Sequence, residues 1–488
     1  MQAALTILAV LVVVGTMAVF LYDLKTKKYE FLSLRNIFLL GFAHFFGIGT
    51  FFTAVSGFGT DLYTADEPGR QKLFFGTILF ILVFVVAQVV GRKCTGVRRI
   101  APAVELPITR SGLYLSIAAL LFGAFLGAVL PNTGYLTALY SQFRGGMAAA
   151  AAGLATYNVI ANRRNPIAWG ILFAALMAAV VLSTVGDIGR RSLLGVMLAI
   201  GWMWYYFSLR FRTVGPTIIR VGALMGVAFM ALVMYAGFRG EGGGAGVGRG
   251  GFSLSTRVTQ IADAVKNPTV RSDDVRTSIM SDAPTNSMFI MENYPDTYDY
   301  DPFNGLKFIV SNPIPRSLWP DKPIGLGITV QKQLGSVANL GVGILGHGWA
   351  EGGWIGIIGY AAFFGLLAAS FDALVRMRVW NPYFHAAIAC SLGNVYAIPR
   401  GETSLMLLQV INGFIGVVMV LLCLKLVLRA VMAASPPVLV PIVHDQPEDA
   451  YDDYPYDEYT DTYASPNEYA PTVASPSHDL PHTSPRFQ

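Results

Sequence analysis

Residues 73–91 read LFFGTILFILVFVVAQVVG, an apolar stretch with no charged side chain. As a helix rising about 1.5 Å per residue, it covers the roughly 30 Å hydrocarbon core of a bilayer. Acidic residues precede it (Asp61, Asp66, Glu67) and basic ones follow (Arg92, Lys93, Arg98, Arg99). Working outward, comparable runs fall at 3–22, 37–56, 113–130, 145–161, 167–184, 193–209, 221–238, 353–373, 383–398 and 404–428. The pattern predicts an all-α polytopic membrane protein with about eleven spans. Composition agrees: over 488 residues, 54% are hydrophobic and 13% charged, about half the charge of a soluble domain. Mean hydropathy is +0.52.

The connectors set an expected orientation. Lys25, Lys27, Lys28 and Arg35 lie between the first two runs, and Arg163/Arg164, Arg210/Arg212/Arg220, Arg376/Arg378 and Lys425/Arg429 recur at every second connector. The positive-inside rule assigns these to the cytoplasm and the acidic segment near Asp66 to the other side. The first run lacks a basic leader and a small-residue cleavage site, so it reads as an uncleaved span with the N-terminus outside and the C-terminus cytoplasmic. The expected organisation is spans one to eight over 1–238, a large extracytoplasmic loop over 239–352, spans nine to eleven over 353–433, and a tail over 434–488. That tail, with DAYDDYPYDEYTDTY, carries about ten acidic residues and no apolar period, and reads as a disordered extension. The stretch GEGGGAGVGRGG (240–251) reads as a flexible lead-in; it lacks the Gly-Lys-Ser/Thr ending of a phosphate-binding loop. Cys94, Cys390 and Cys423 show no metal or disulfide spacing.

Charges expected on the outer side are the candidates for function, because ionised groups at membrane depth persist only when paired or facing a cavity. Arg190 and Arg191, in GDIGRR (186–191), break the positive-inside bias; guanidinium forks hold phosphate oxygens bidentately, although lipid headgroups would also satisfy them. Arg316 and Lys322 lie in IPRSLWPDKP (314–323), where prolines and a Trp fix an extended path; an interfacial Trp anchor is the plainer reading. His347 and Glu351, in LGHGWAEGG (345–353), share a face if helical. Either could accept a proton from a sugar hydroxyl, or Glu351 could cap a helix dipole. Arg400, in IPRGE (398–402), is a further anion clamp or a partner of Glu402. Arg144 joins the group by its place near a span end. No third ligand at a useful spacing supports a metal at His347 and Glu351.

The order IPRSLWPDKP, then GHGWAEGGWIGIIGY, then the Arg400 connector resembles bacterial oligosaccharide repeat-unit polymerases, the O-antigen polymerase (Wzy-type) family, mostly between residues 308 and 365. The Gly-Arg-Arg at 189–191 adds to it; the acidic tail is not part of that pattern. The resemblance implies a C-type glycosyltransferase architecture in the bacterial cytoplasmic (inner) membrane. A growing chain on one polyprenyl diphosphate would be transferred to the sugar of a new lipid-linked unit, with no nucleotide, metal or other cofactor required and no nucleic acid involved. It implies Arg190, Arg191, Arg316, Arg400 and, in support, Lys322 and Arg144 as diphosphate-binding groups. Glu351 or His347 would be the base, and a chain-length regulator and a flippase the partners. A polysaccharide ligase with the same donor, or a lipid-linked oligosaccharide flippase or exporter, are the alternatives. Transport would call for polar groups along mid-membrane helix faces, which the runs largely lack.

Overall fold

The computed structural model describes residues 1–27, 29–58, 63–93, 108–130, 135–184, 190–242, 259, 281–336 and 340–432. The acidic tail, the glycine-rich lead-in from 243 onward, Cys94, Asp61, Lys28, Arg98, Arg99 and Gly186 to Gly189 lie outside the described residues. All regular structure described is helical. The first eight helices are α1 (Gln2–Thr26), α2 (Leu34–Val55), α3 (Glu67–Lys93), α4 (Arg110–Val129), α5 (Tyr135–Ala161), α6 (Pro166–Thr184), α7 (Arg190–Phe207) and α8 (Val214–Gly242). Three shorter ones follow, α9 (Ala283–Asn293), α10 (Asn304–Ser311) and α11 (Leu326–Gln333). The chain then forms α12 (Gly343–Met377), α13 (Pro382–Ala389), α14 (Leu392–Ala397) and α15 (Thr403–Met432).

Among the described residues, six helices are long and apolar enough to cross a membrane: α1, α2, α3, α4, α12 and α15. Shorter apolar helices cover Pro166–Leu182 and Val214–Met230. Large apolar side chains lie on the outside of the bundle, among them Val86 at 63%, Phe173 at 67%, Ile219 at 74% and Ile355 at 80% exposure. Burying such a girdle in lipid is what an all-α polytopic membrane protein does.

Small residues bring the helices together, as is usual where hydrophobic burial against lipid gives no net drive. On α5, residues 148–152 are five alanines, each at most 1% exposed, so neighbours close in from every side. Alanine also favours the helix itself, so the same run makes α5 both helical and closely packed. Between α3 and α12, Gly76 meets Ile357, Gly365 meets the Phe84 carbonyl and Ala87, and Gly91 meets Leu366 and Ala369. Those contacts advance together along both helices, so the two run parallel and finish at the same end of the bundle. Stacked rings of Phe38, Phe84 and Phe364, and of Phe42 and Phe80, fill the seam.

Two expected runs take other forms. The run 383–398 is not one rod but α13 and α14, of 8 and 6 residues, joined at Cys390–Ser391. Both are almost wholly buried, and the Ser391 hydroxyl donates to the Val410 carbonyl at 3.1 Å. The run at 353 begins earlier, at Gly343, and bends sharply at Gly352–Gly353, with Gly353 at φ 58°. The bend folds residues 343–351 back on the next turns: a Cβ on Gly356 would sit 1.8 Å from the Gly348 carbonyl oxygen. Glycine at 348, 353 and 356 is therefore a condition of the reversal.

The connector chemistry sorts the bundle into two ends. Around Tyr29 and Glu30 gather Arg35, Arg92, Arg210 and Arg376, while Arg163 donates to Ser208 at 3.1 Å. At the other end lie Glu67, 3.6 Å from the Met1 amino group, and Glu292, which accepts the Tyr63 hydroxyl and the Asp66 amide. The basic connectors thus share one end, as their alternation along the sequence requires.

Candidate functional site

The backward fold of residues 343–351 builds the site. Its first turn is tied to the 398–402 connector: the Gly343 and Ile344 amides donate to the Arg400 and Pro399 carbonyls, both at 2.9 Å. That satisfies helix-start amides that would otherwise be orphaned. The helical turn then places His347 and Glu351 on one face, as their spacing predicts. His347 Nε2 lies 3.2 Å from Glu351 Oε1. Across the bend, the Tyr360 hydroxyl donates to the same oxygen at 2.7 Å, and the Gly305 amide, from the start of α10, donates at 2.7 Å. Gly305 has no room for a side chain; a Cβ there would lie 2.6 Å from the Tyr360 hydroxyl and 3.0 Å from both Glu351 Oε1 and His347 Nε2.

His347 is fully buried, and neither ring nitrogen makes a well-directed hydrogen bond in the structure. The contact to Glu351 is short but poorly aligned. A buried imidazole left so is uncommon. Glu351 does not cap its own helix; it caps the start of α10 by accepting the Gly305 amide. It ends the short first segment of α12, and its partners are Gly305, Tyr360 and His347.

Glu402 completes the cluster. Its carboxylate is close enough to His347 for their charges to attract, and it accepts the Ser404 hydroxyl at 3.1 Å and the Leu326 and Gly327 amides. It thereby caps the start of α11 from another part of the chain. Burial pushes its carboxyl above the usual carboxylate range, against the pull of His347, Ser404 and those amides. Nearby, Asp301 moves the other way: desolvation is outweighed by hydrogen bonds from Lys307 and Asn304, which hold its carboxyl low.

The expected cations separate into three groups. Arg400 donates from Nε to Asp282 Oδ1 at 3.1 Å, so its partner is Asp282 and not Glu402. Asp282 is itself fixed by the Gly341 amide at 3.1 Å. Arg191, at the start of α7, reaches Met406 Sδ at 3.3 Å and lies close enough to Arg400 for their charges to act on each other. Arg190 opens the same helix; its side chain lies outside the described residues. Arg191 therefore approaches Arg400 and the connector that holds the His347 turn.

Arg316 and Lys322 do not join them. Arg316 donates to the carbonyls of Pro320 and Lys322, and Lys322 to those of Asn312 and Ile314. The proline-rich segment is held, as expected, but its cations tie it to itself. Desolvation and the neighbouring Arg316 lower the Lys322 ammonium below its usual range. Arg144 is buried inside the bundle against α4 and donates to the Gly127 carbonyl at 3.3 Å.

Tyr360, Gly305, Asp282 and the capping role of Glu402 were not legible beforehand. Tyr360 meets Glu351 only because the chain reverses between them, and Gly305 contributes a backbone amide, which no side-chain pattern reports. The Gly-Gly at 352–353 was the available signal for the reversal. No known family profile matches the chain, and neither a curated protein nor a solved structure shows detectable similarity to it.

Proposed function

We propose that this membrane protein is a glycosyltransferase that polymerises polyprenyl-diphosphate-linked oligosaccharide repeat units at the outer face of a bacterial cytoplasmic membrane. On this reading the eleven-span plan and C-type architecture hold, and the His347 end faces outward. The observation that carries the proposal is His347, fully buried beside a carboxylate with no well-directed partner. Glu351 already receives an amide and a phenol on one oxygen, so it serves as the positioning carboxylate, and His347 is the base. An imidazole steered by a carboxylate is suited to accept a proton from a hydroxyl.

The step runs as a displacement. The acceptor hydroxyl gives its proton to His347, its oxygen bonds to the anomeric carbon of the donor chain, and the bond from that carbon to the diphosphate oxygen breaks. Polyprenyl diphosphate leaves with the electron pair. Arg191 and Arg400, with Arg190 at the same helix start, stabilise the negative charge growing on the diphosphate. Arg316 and Lys322 hold the loop, and Arg144 supports the bundle beneath the arginines. The sequence resemblance supports the donor class.

The test is to incubate the purified full chain with a lipid-linked repeat unit. A ladder of carrier-linked products is the expected result. Transfer only to a different acceptor would make the protein a ligase, and absence of any transfer would remove the glycosyltransferase reading and leave the flippase alternative.

A further inference from the structure

The end of the bundle remote from His347 carries a second concentration of charge, which the proposed reaction does not use. Counting from Gly353 to Arg376, α12 separates the two by about 35 Å. A small cleft opens there, lined by Arg35, Arg92 and Arg376, by the acids Glu30 and Asp372, and by Tyr29 and Ser33. Three guanidinium groups surround one ring: their central carbons lie 3.8 Å (Arg92), 5.4 Å (Arg35) and 5.8 Å (Arg376) from the centre of Tyr29.

The charge balance around this ring is uneven. Arg35 is satisfied by Asp23 and by the Asn36 side chain, the latter at 2.8 Å. Glu30 is satisfied by Arg210 at 2.6 Å and the Tyr205 hydroxyl at 2.9 Å. Asp372 takes the Leu34 amide at 2.7 Å and the Arg35 amide at 3.4 Å. Arg92 and Arg376 make no ion pair or hydrogen bond to any described residue; the Asp372 carboxylate is close enough to act on both, but its oxygens are taken by the two amides. Cation–π contact with a half-buried ring is weak, a small return for gathering like charges. The C-terminal dipoles of α3 and α12 favour a cation apiece, but that pull lies along each helix axis and does not explain why both side chains turn to Tyr29.

We infer that this cleft is a binding site for a phosphate group, held by the guanidinium forks of Arg92 and Arg376 at its mouth with the Ser33 hydroxyl and Tyr29 behind them. Two planar donors converging on an open cleft are suited to bidentate recognition of phosphate oxygens. The phosphate belongs either to the headgroup of an anionic lipid packed beside the bundle or to a free ion in solution. The inference rests on these contacts alone and is independent of the reaction proposed for the His347 end.

The experiment is to follow the melting temperature of the full chain in a neutral detergent while adding phosphatidylglycerol, or inorganic phosphate, each against sodium chloride at matched ionic strength. A saturable rise with either is expected, with the half-point moving at least tenfold higher in Arg92→Gln/Arg376→Gln. A rise with the lipid alone identifies a headgroup site, and an equal rise with the ion identifies a free-phosphate site. No saturable rise with either, or one unchanged in the double variant, overturns the inference. Should that variant fail to fold, Arg376→Gln alone removes an exposed group with no hydrogen bond to lose, and it must still weaken the response.

Discussion

The two ends of the bundle put their buried carboxylates to different uses. At the Tyr29 end each buried acid has a partner that fixes it: Asp23 meets Arg35 and Asn36, Glu30 meets Arg210 and Tyr205, and Asp372 meets two backbone amides. Those pairs clamp the connector between α1 and α2 to α7 and α12. At the His347 end, Glu351 is well supplied with donors while the imidazole beside it is not. At the first end carboxylates tie connectors to helices; at the second a carboxylate lies 3.2 Å from a buried imidazole and can steer it. The prediction of greatest effect follows directly. His347→Gln should lower the polymerisation rate by about 10²- to 10⁴-fold, the usual worth of a general base. The melting temperature should stay near that of the wild type, since no well-directed hydrogen bond is lost. A ladder formed at the wild-type rate would erase the contrast between the ends.

The converse applies to Asp23. Removing one member of a buried ion pair leaves the other charge uncompensated and costs about 3–5 kcal/mol. Asp23→Ala should therefore strip Arg35 and Asn36 of their shared partner and reduce stability by that order, as read from thermal unfolding. Any protein that does fold should keep its catalytic rate. Loss of rate in a variant with an intact melting curve would mean that the Tyr29 end takes part in the reaction. Between these extremes lies Gly305→Ala, where the added methyl must push into Tyr360, Glu351 and His347. Overpacking of this kind costs about 1–3 kcal/mol, and it should also slow the reaction by moving Glu351. An unchanged rate would show that the Gly305 amide does not hold that carboxylate in place.

How much of this was open to reading differs between the ends for a physical reason. The helices were legible because a bilayer-crossing run announces itself by length, as in residues 73–91. The gathering of basic connectors was legible because topology alone decides it. His347 and Glu351 were legible as a pair because four residues make about one helical turn. What could not be read was every contact made by chain reversal or by backbone. Tyr360 reaches Glu351 across a Gly-Gly bend, Gly305 acts through an amide, and Glu402 caps α11 from a distant connector. For the proline-rich segment at 314–323 the rigidity was visible, but not that Arg316 and Lys322 donate to carbonyls of the same segment.

Glu402 gives a smaller effect with a definite sign. Its folded-state carboxyl lies above the ordinary value of 4.5, so the folded chain holds its proton more tightly than the unfolded chain does. The associated stability is present in full below about 4.5 and is lost as pH rises through the folded value. Lowering the pH from 7 to 5 should therefore raise the melting temperature of the wild type relative to Glu402→Gln. If the difference between the two proteins were the same at both pH values, burial would not be acting on this carboxyl.

The smallest effect is expected at Arg316, and it separates the two classes of cation that the sequence placed together. Arg316 is exposed and donates to two carbonyls of its own loop, so Arg316→Ala should cost no more than about 1 kcal/mol in stability. Because its fork is already occupied, the rate of ladder formation should fall by less than about tenfold, equivalent to about 1.4 kcal/mol. Arg400→Ala offers the comparison. Arg400 lies within electrostatic reach of Arg191 and on the connector whose carbonyls start the His347 helix, so a loss of charge there should slow the reaction more. If Arg316→Ala were the slower variant in the proposed reaction, the proline-rich loop would have to open and release its guanidinium to the substrate. The site would then be assembled by substrate, and the self-bonded loop would be its resting form.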